Sequence, residues 1–241
     1  MIRQGLVLGL VLVGGSMVGC GGDDGPKAMP GTMNSSLARS SVQQSVMVRT
    51  AADSMNGSAL AGAVMSLNTS ASAIVSGPDG STTGALLNSD VEQTAQAQTA
   101  GVTCDASGCK YTNFMVGSTA LNGNVAVSPG SGDLKNVKWD LTMKQTAFNT
   151  DGFSLDYTGK GDIQVSLTSL SGQVTTKSTF GSSQSSQSFS GSTESVVRYT
   201  AVTIANGQPT GGSVYAKSTT FASSGGQSAA QAWDGTLEFG K

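Results

Sequence analysis

The chain has 241 residues, with 13 Lys and Arg against 15 Asp and Glu and no His; charged residues make up 12% of it, about half the usual globular share. Without clustered Lys and Arg to displace counterions there is no footprint for nucleic acid, and without His the Ser-His-Asp triads and most zinc sites are excluded. Solubility rests on Ser, Thr, Gly, Asn and Gln, and with aromatics at only 5% each one marks a core or stacking position.

At the N-terminus Arg3 precedes a short apolar run, Gly5 to Val13, and the small residues Gly14, Gly15 and Ser16. A positive start, an apolar centre and a small-residue junction are the layout of a secretory signal. The run is shorter than the ~20 residues that cross a bilayer, and Gly21-Gly22-Asp23-Asp24 follows it at once. The junction Met17-Val18-Gly19-Cys20 resembles the bacterial lipobox, with Met17 where Leu is more usual. The resemblance covers residues 1–20 only and implies a bacterial lipoprotein: residues 1–19 removed as signal peptide, Cys20 acylated, and the membrane as a partner through that residue. It also implies that Gly21, standing where Asp would favour the inner membrane, directs the chain to the outer membrane of the envelope. Two or three acyl chains anchor stably, since each buried methylene contributes ~0.8 kcal/mol. An ordinary signal peptide with an incidental Cys is the rival reading.

From Cys20 onward 222 residues remain (241 less 19), and loss of Arg3 leaves 12 basic against 15 acidic side chains, a net charge of −3. Residues 20–35 hold almost nothing apolar and read as a flexible tether reaching roughly 20 to 25 Å. Residues 36–69 place Leu37, Val42, Val46, Met47, Met55, Leu60, Val64 and Leu67 mostly at three-to-five-residue steps, which predicts an amphipathic helix or a broken pair. Ser35 or Ser36 is the expected cap, and Asn56-Gly57 the expected break, because glycine costs ~1 kcal/mol in a helix interior. Ser76-Gly77-Pro78-Asp79-Gly80 is turn chemistry. A second short helix is expected over 89–100, where Asp90 and Glu92 suit the opening turn.

Cys104 and Cys109 remain once Cys20 is assigned, and in an oxidising compartment Cys-Asp-Ala-Ser-Gly-Cys reads as a disulfide across a tight turn. A metal or redox site is the rival, disfavoured by the four intervening residues and the absence of His. From Lys110 the apolar period becomes two. Val137, Trp139, Leu141 and Met143 alternate with Lys138, Asp140, Thr142 and Lys144, and the pattern recurs in Phe153-Leu155-Tyr157, Ile163-Val165-Leu167, Val197-Tyr199-Ala201 and Trp233-Leu237-Phe239. Turn signals separate the runs at Asn122-Gly123, Pro129-Gly130, Asp151-Gly152, Gly159-Lys160-Gly161-Asp162, Ser171-Gly172, Asn206-Gly207 and Gly225-Gly226. Short turns imply antiparallel hairpins. The Ser- and Gln-rich tract 181–192 reads as a strand pair flanking a loop.

The expected fold is therefore mainly β (α+β): a curved antiparallel meander, open or closing into a partial barrel, of about 8–10 strands, with the helical segment packed on its apolar face. Residues 36–100 form the helical part and 101–241 the β domain, with 36–241 one structural unit. The inward aromatics Trp139, Leu141, Phe153, Tyr157 and Trp233 are the candidate lining of an apolar ligand cavity, against the rival of a filled core. Neither a cofactor nor a metal is expected, and the chain reads as no enzyme. Ser107 to Lys110 is the one Ser-x-x-Lys match and crosses the disulfide turn. The carboxylates Asp140, Asp156, Asp162, Glu194, Asp234 and Glu238 alternate outward or sit in turns, a poor arrangement for a glycosidase pair. A structural or surface-interaction lipoprotein facing an envelope protein or glycan leads, a carrier of an apolar ligand such as a lipid follows, and a carbohydrate-active enzyme is a distant third. Oligomeric state is not legible.

Overall fold

The structure, a computed structural model, describes residues 26–77, 101–116, 119–145, 153–182, 189–224 and 226–240, with backbone alone at 145, 153–155 and 182. Cys20, the helix expected over 89–100, and the turns at Asp151-Gly152 and Pro78-Asp79-Gly80 lie outside the described residues. The elements in chain order are β1 (Met29–Pro30), β2 (Thr32–Met33), α1 (Ser35–Ser54), α2 (Gly57–Ser72) and β3 (Val75–Ser76). They continue with β4 (Val102–Asp105), β5 (Gly108–Val116), β6 (Thr119–Pro129), β7 (Lys135–Gln145), β8 (Phe153–Val165), β9 (Ser169–Ser182), β10 (Phe189–Ala205), β11 (Gln208–Ser224) and β12 (Gln227–Glu238).

The helical pair breaks where expected. Met55 takes the left-handed conformation (φ 47°), and Asn56 caps α2 by accepting from the Ala59 amide at 3.1 Å. The cap of α1 is Asn34 rather than Ser35 or Ser36: its Oδ1 accepts from the Leu37 amide at 3.1 Å, so both serines fall inside the first turn. Ala38, Val42, Ser45, Val48 and Ala52 form the buried stripe of α1. Ser41 and Ser45 can share that face because each hydroxyl donates to a carbonyl three residues back, Ala38 and Val42. α2 is apolar on most sides (Leu60, Ala61, Val64, Met65, Leu67) and packs against both α1 and the sheet.

Strands β4 to β12 pair in sequence order, every neighbour antiparallel, and β1 adds in parallel beside β12. The ten-stranded sheet is thus mixed by one pair and does not close into a barrel. β2 and β3 form a separate two-stranded ladder. Both helices lie on one face, α2 against β4, β5, β9 and β10 and α1 against β7, β8 and β11. The alternation of β7 holds fully, with Val137, Trp139, Leu141 and Met143 all buried.

Three expected turns are strand instead. Asn122-Gly123 lies within β6, where Asn122 Oδ1 accepts from the Asn113 amide at 2.8 Å and closes a bulge in β5 at Asn113 (φ 49°). Gly159-Lys160-Gly161-Asp162 lies within β8, and its glycines make room for side chains from elsewhere. Ser171-Gly172 belongs to β9, because the chain reverses earlier, over Ser166, Leu167 and Thr168. Ser166 Oγ holds that turn by accepting from the Thr168 and Ser169 amides, and Leu167, expected inside, stands 52% exposed. Ala201 is exposed too: a register shift between Tyr199 and Val202 hands the inward face to Val202 and Ile204.

Candidate functional site

The helix-bearing face of the sheet gathers the aromatics singled out in the sequence. One row across it runs Val125, Trp139, Gly161, Val174, Val197, Ala216 and Gly235, each opposite the next. The largest side chain in the row therefore stands beside a residue that has none. A Cβ at Gly161 would fall well under 3.0 Å from three atoms of the Trp139 indole, so the ring lies over the glycine backbone. At Gly159, two residues along, a Cβ would come within 2.7 Å of Asn68 Cγ. The two glycines together admit a buried pair: Trp139 Nε1 donates to Asn68 Oδ1 at 3.1 Å, joining β7 to α2.

Leu141 is fully buried between Gly123 and Gly159, and Tyr157 is buried between Met143 and Ser178. The Tyr157 hydroxyl lies near Ser72 and Thr176 without a well-formed hydrogen bond, and burial pushes its pKa up. The same holds for Tyr199 beside Ser41. Ser195 Oγ donates to the Ser72 carbonyl at 3.1 Å, which ties the end of α2 to β10. At the start of α2, Tyr111 Oη donates to the Gly57 carbonyl at 2.9 Å, and burial raises that phenol's pKa as well.

The five candidate lining residues thus separate. Trp139, Leu141 and Tyr157 meet beneath the helices. Trp233 lies on β12 between β1 and β11, half-buried beside Gly31, with Nε1 buried and unpartnered among the described residues. Phe153 is placed by register opposite Ser182 at the far end of β8 and β9. Asn68 is absent from the sequence-derived set although it reaches Trp139, as are Gly159 and Gly161, which look like a turn in sequence. The available signal was a lone amide between Leu67 and the next turn of an otherwise apolar helix, a position where a polar side chain requires a partner.

Cys104 and Cys109 are disulfide-bonded, directly opposite each other in the β4–β5 hairpin with Cα atoms 4.1 Å apart. Asp105 Oδ1 accepts from the Ser107 amide and hydroxyl (2.7 and 2.6 Å), which fixes the turn and holds the Asp105 pKa down. Gly57 packs on this hairpin: a Cβ there would come within 2.9 Å of Cys104 Sγ.

The sheet carboxylates occupy the opposite face. Lys138–Asp162 and Lys160–Asp140 pair across β7 and β8 at 2.8 Å each, and Lys144–Asp156 at 3.8 Å. Asp234 accepts from Tyr215 Oη at 3.1 Å, and Glu194 stands exposed opposite Lys177. Among the described residues no group of three or more His, Cys, Asp or Glu is placed to hold a metal ion, and no helix is long and apolar enough to cross a membrane. No protein-family model matches the chain, and no curated protein or solved structure matches it significantly.

Proposed function

We propose that the chain is a non-catalytic lipoprotein of the bacterial envelope, anchored to the outer membrane through acylated Cys20, with a structural or surface-interaction role. The observation that carries this reading is Met17-Val18-Gly19-Cys20 at the end of a short apolar run, followed by a polar stretch leading into β1. The paired Cys104 and Cys109 support an oxidising compartment.

Between interaction and carriage, the packing supports interaction. Trp139, Leu141 and Tyr157 are buried on the helix-bearing face, and Asn68 takes up the Trp139 donor. The sheet's outer face, with its Lys–Asp ladder and Ser, Thr and Gln side chains, is the surface left for an envelope protein or glycan. An enzyme finds little support in carboxylates that are exposed and paired with lysines. Labelling with radioactive palmitate tests the anchor: wild type incorporates label and Cys20→Ala does not, and equal labelling of the two would reject it. Native mass spectrometry of protein taken from its own cells tests the role, since a bound lipid would favour the carrier.

A further inference from the structure

β1 runs parallel to β12, with Met29 opposite Trp233 and Pro30 opposite Asp234. Residues 26–28 therefore enter β1 from the end of the sheet where β12 begins, at Gln227. From Trp233 back to Gln227 is ~20 Å at ~3.3 Å per residue.

Along β9 to β12 that end differs from the rest of these strands, whereas on the neighbouring β8 Asp156, paired with Lys144, stands opposite Thr179. Segments 178–182, 189–193, 220–224 and 227–231 contain no charged residue, and the first charges inward are Lys177, Glu194, Lys217 and Asp234. They carry three phenylalanines instead. Phe180 and Phe189 lie on the helix-bearing face with ring centroids 5.4 Å apart, and Phe180 covers Gly191, whose Cβ would meet the ring at 2.5 Å. Phe221 projects from the opposite face and is 44% exposed. Helix α2 stops short of them: its last residue, Ser72, meets Ser195, and Phe189 lies ~20 Å further along β10.

We propose that this uncharged rim is a membrane-contacting surface, its strand tips resting in the headgroup–acyl boundary of the bilayer that holds Cys20. The proposal rests on the anchor reading above. Phenylalanines on both faces of the tips suit end-on immersion, whereas a protein partner covering one face would leave the other ring in water. The lack of charge in these four segments removes the desolvation penalty that ionised side chains carry into a bilayer, and the nearest ion pair among the described residues, Lys144–Asp156, stands level with Thr179, ~10 Å in from Ser182. Hydroxyls and amides of the surrounding Ser, Thr and Gln can exchange water for headgroup oxygens. Three rings alone bind weakly, but the nine residues from Cys20 to Met29 span at most ~30 Å and hold the rim near the surface at high effective concentration.

The test uses the full-length acylated protein reconstituted in phosphatidylcholine vesicles containing a doxyl-labelled phosphatidylcholine. Ser228→Cys places a fluorophore at the rim and Gln208→Cys places one at the opposite end, next to the β10–β11 turn; both positions are exposed. The probe at position 228 is expected to lose most of its emission to the doxyl lipid and the probe at 208 none. Adding Phe180→Ser and Phe221→Ser should abolish the difference while near-ultraviolet circular dichroism stays unchanged. Equal quenching at the two positions, or quenching at 228 that survives loss of both rings, would overturn the proposal. The mass of the N-terminal peptide separates the two levels: an unmodified Cys20 overturns the anchor and the docking with it, whereas acylated protein with an unquenched rim overturns the docking alone.

Discussion

Replacing Gly161 by Ala adds one methyl group to the middle of β8, and the structure leaves it no space. The new carbon would overlap three atoms of the Trp139 indole, itself only 3% exposed. The ring cannot withdraw freely, because its Nε1 is bonded to Asn68 Oδ1 at 3.1 Å in the interior. Overpacking of this kind costs ~1–3 kcal/mol, and displacing the indole far enough to break the bond leaves two buried polar groups unmatched, adding ~1–3 kcal/mol. A loss of about 3 kcal/mol is expected, or roughly 6 to 12 °C in Tm at ~2–4 °C per kcal/mol for a chain of this size. Gly62→Ala is the matched control, since a Cβ there meets nothing within 4 Å and lies on α2. It should raise stability by ~0.5–1 kcal/mol. Both substitutions restrict the unfolded chain equally, so the difference between their urea midpoints reports on the native state, where the helix gain at Gly62 is at most ~1 kcal/mol and the rest is packing. Equal shifts for the two variants would refute the packing argument.

The Cys104–Cys109 bridge closes a short loop, and its reduction should cost only ~2 kcal/mol in urea unfolding by loop-closure entropy; alkylation of the native protein without reductant should leave both thiols unmodified. Tyr111, Tyr157 and Tyr199 have hydroxyl pKa values raised by burial, whereas in the unfolded chain they ionise near ~10. Their contribution to stability is complete below that pH and is lost as pH rises above it toward the folded values, because the unfolded state releases protons first. Phenolate absorbance should therefore appear together with alkaline unfolding, and early ionisation of all three in folded protein would contradict their burial. Asp162→Asn removes one exposed rung of the ladder with Lys138 and should change stability by less than ~1 kcal/mol, a difference that fades in ~1 M salt.

The sequence was most legible where one period dominated. Val137, Trp139, Leu141 and Met143 specify a one-faced strand because polar residues alternate strictly with them, and the break at Asn56-Gly57 is visible because glycine is costly in a helix interior. Turn chemistry misled wherever glycine served space instead of direction. Gly159 and Gly161 are in β8 because Asn68 and Trp139 fill the volume their side chains would occupy, a reason that lies in α2 and β7 and is invisible along β8. Likewise Ala201 falls out of its alternation at a bulge, which shifts the parity of everything after it without leaving a residue-type signal. The Asn68–Trp139 bond joins positions 71 residues apart, so only the folded arrangement reveals it.

The central claim, that this β domain is carried on a lipidated cysteine, is tested most directly by the N-terminal peptide of the protein isolated from bacterial membranes. Mass spectrometry should find a chain that starts at Cys20 and carries a thioether-linked diacylglycerol. A chain that begins elsewhere, or that retains Cys20 as a free thiol, would contradict it.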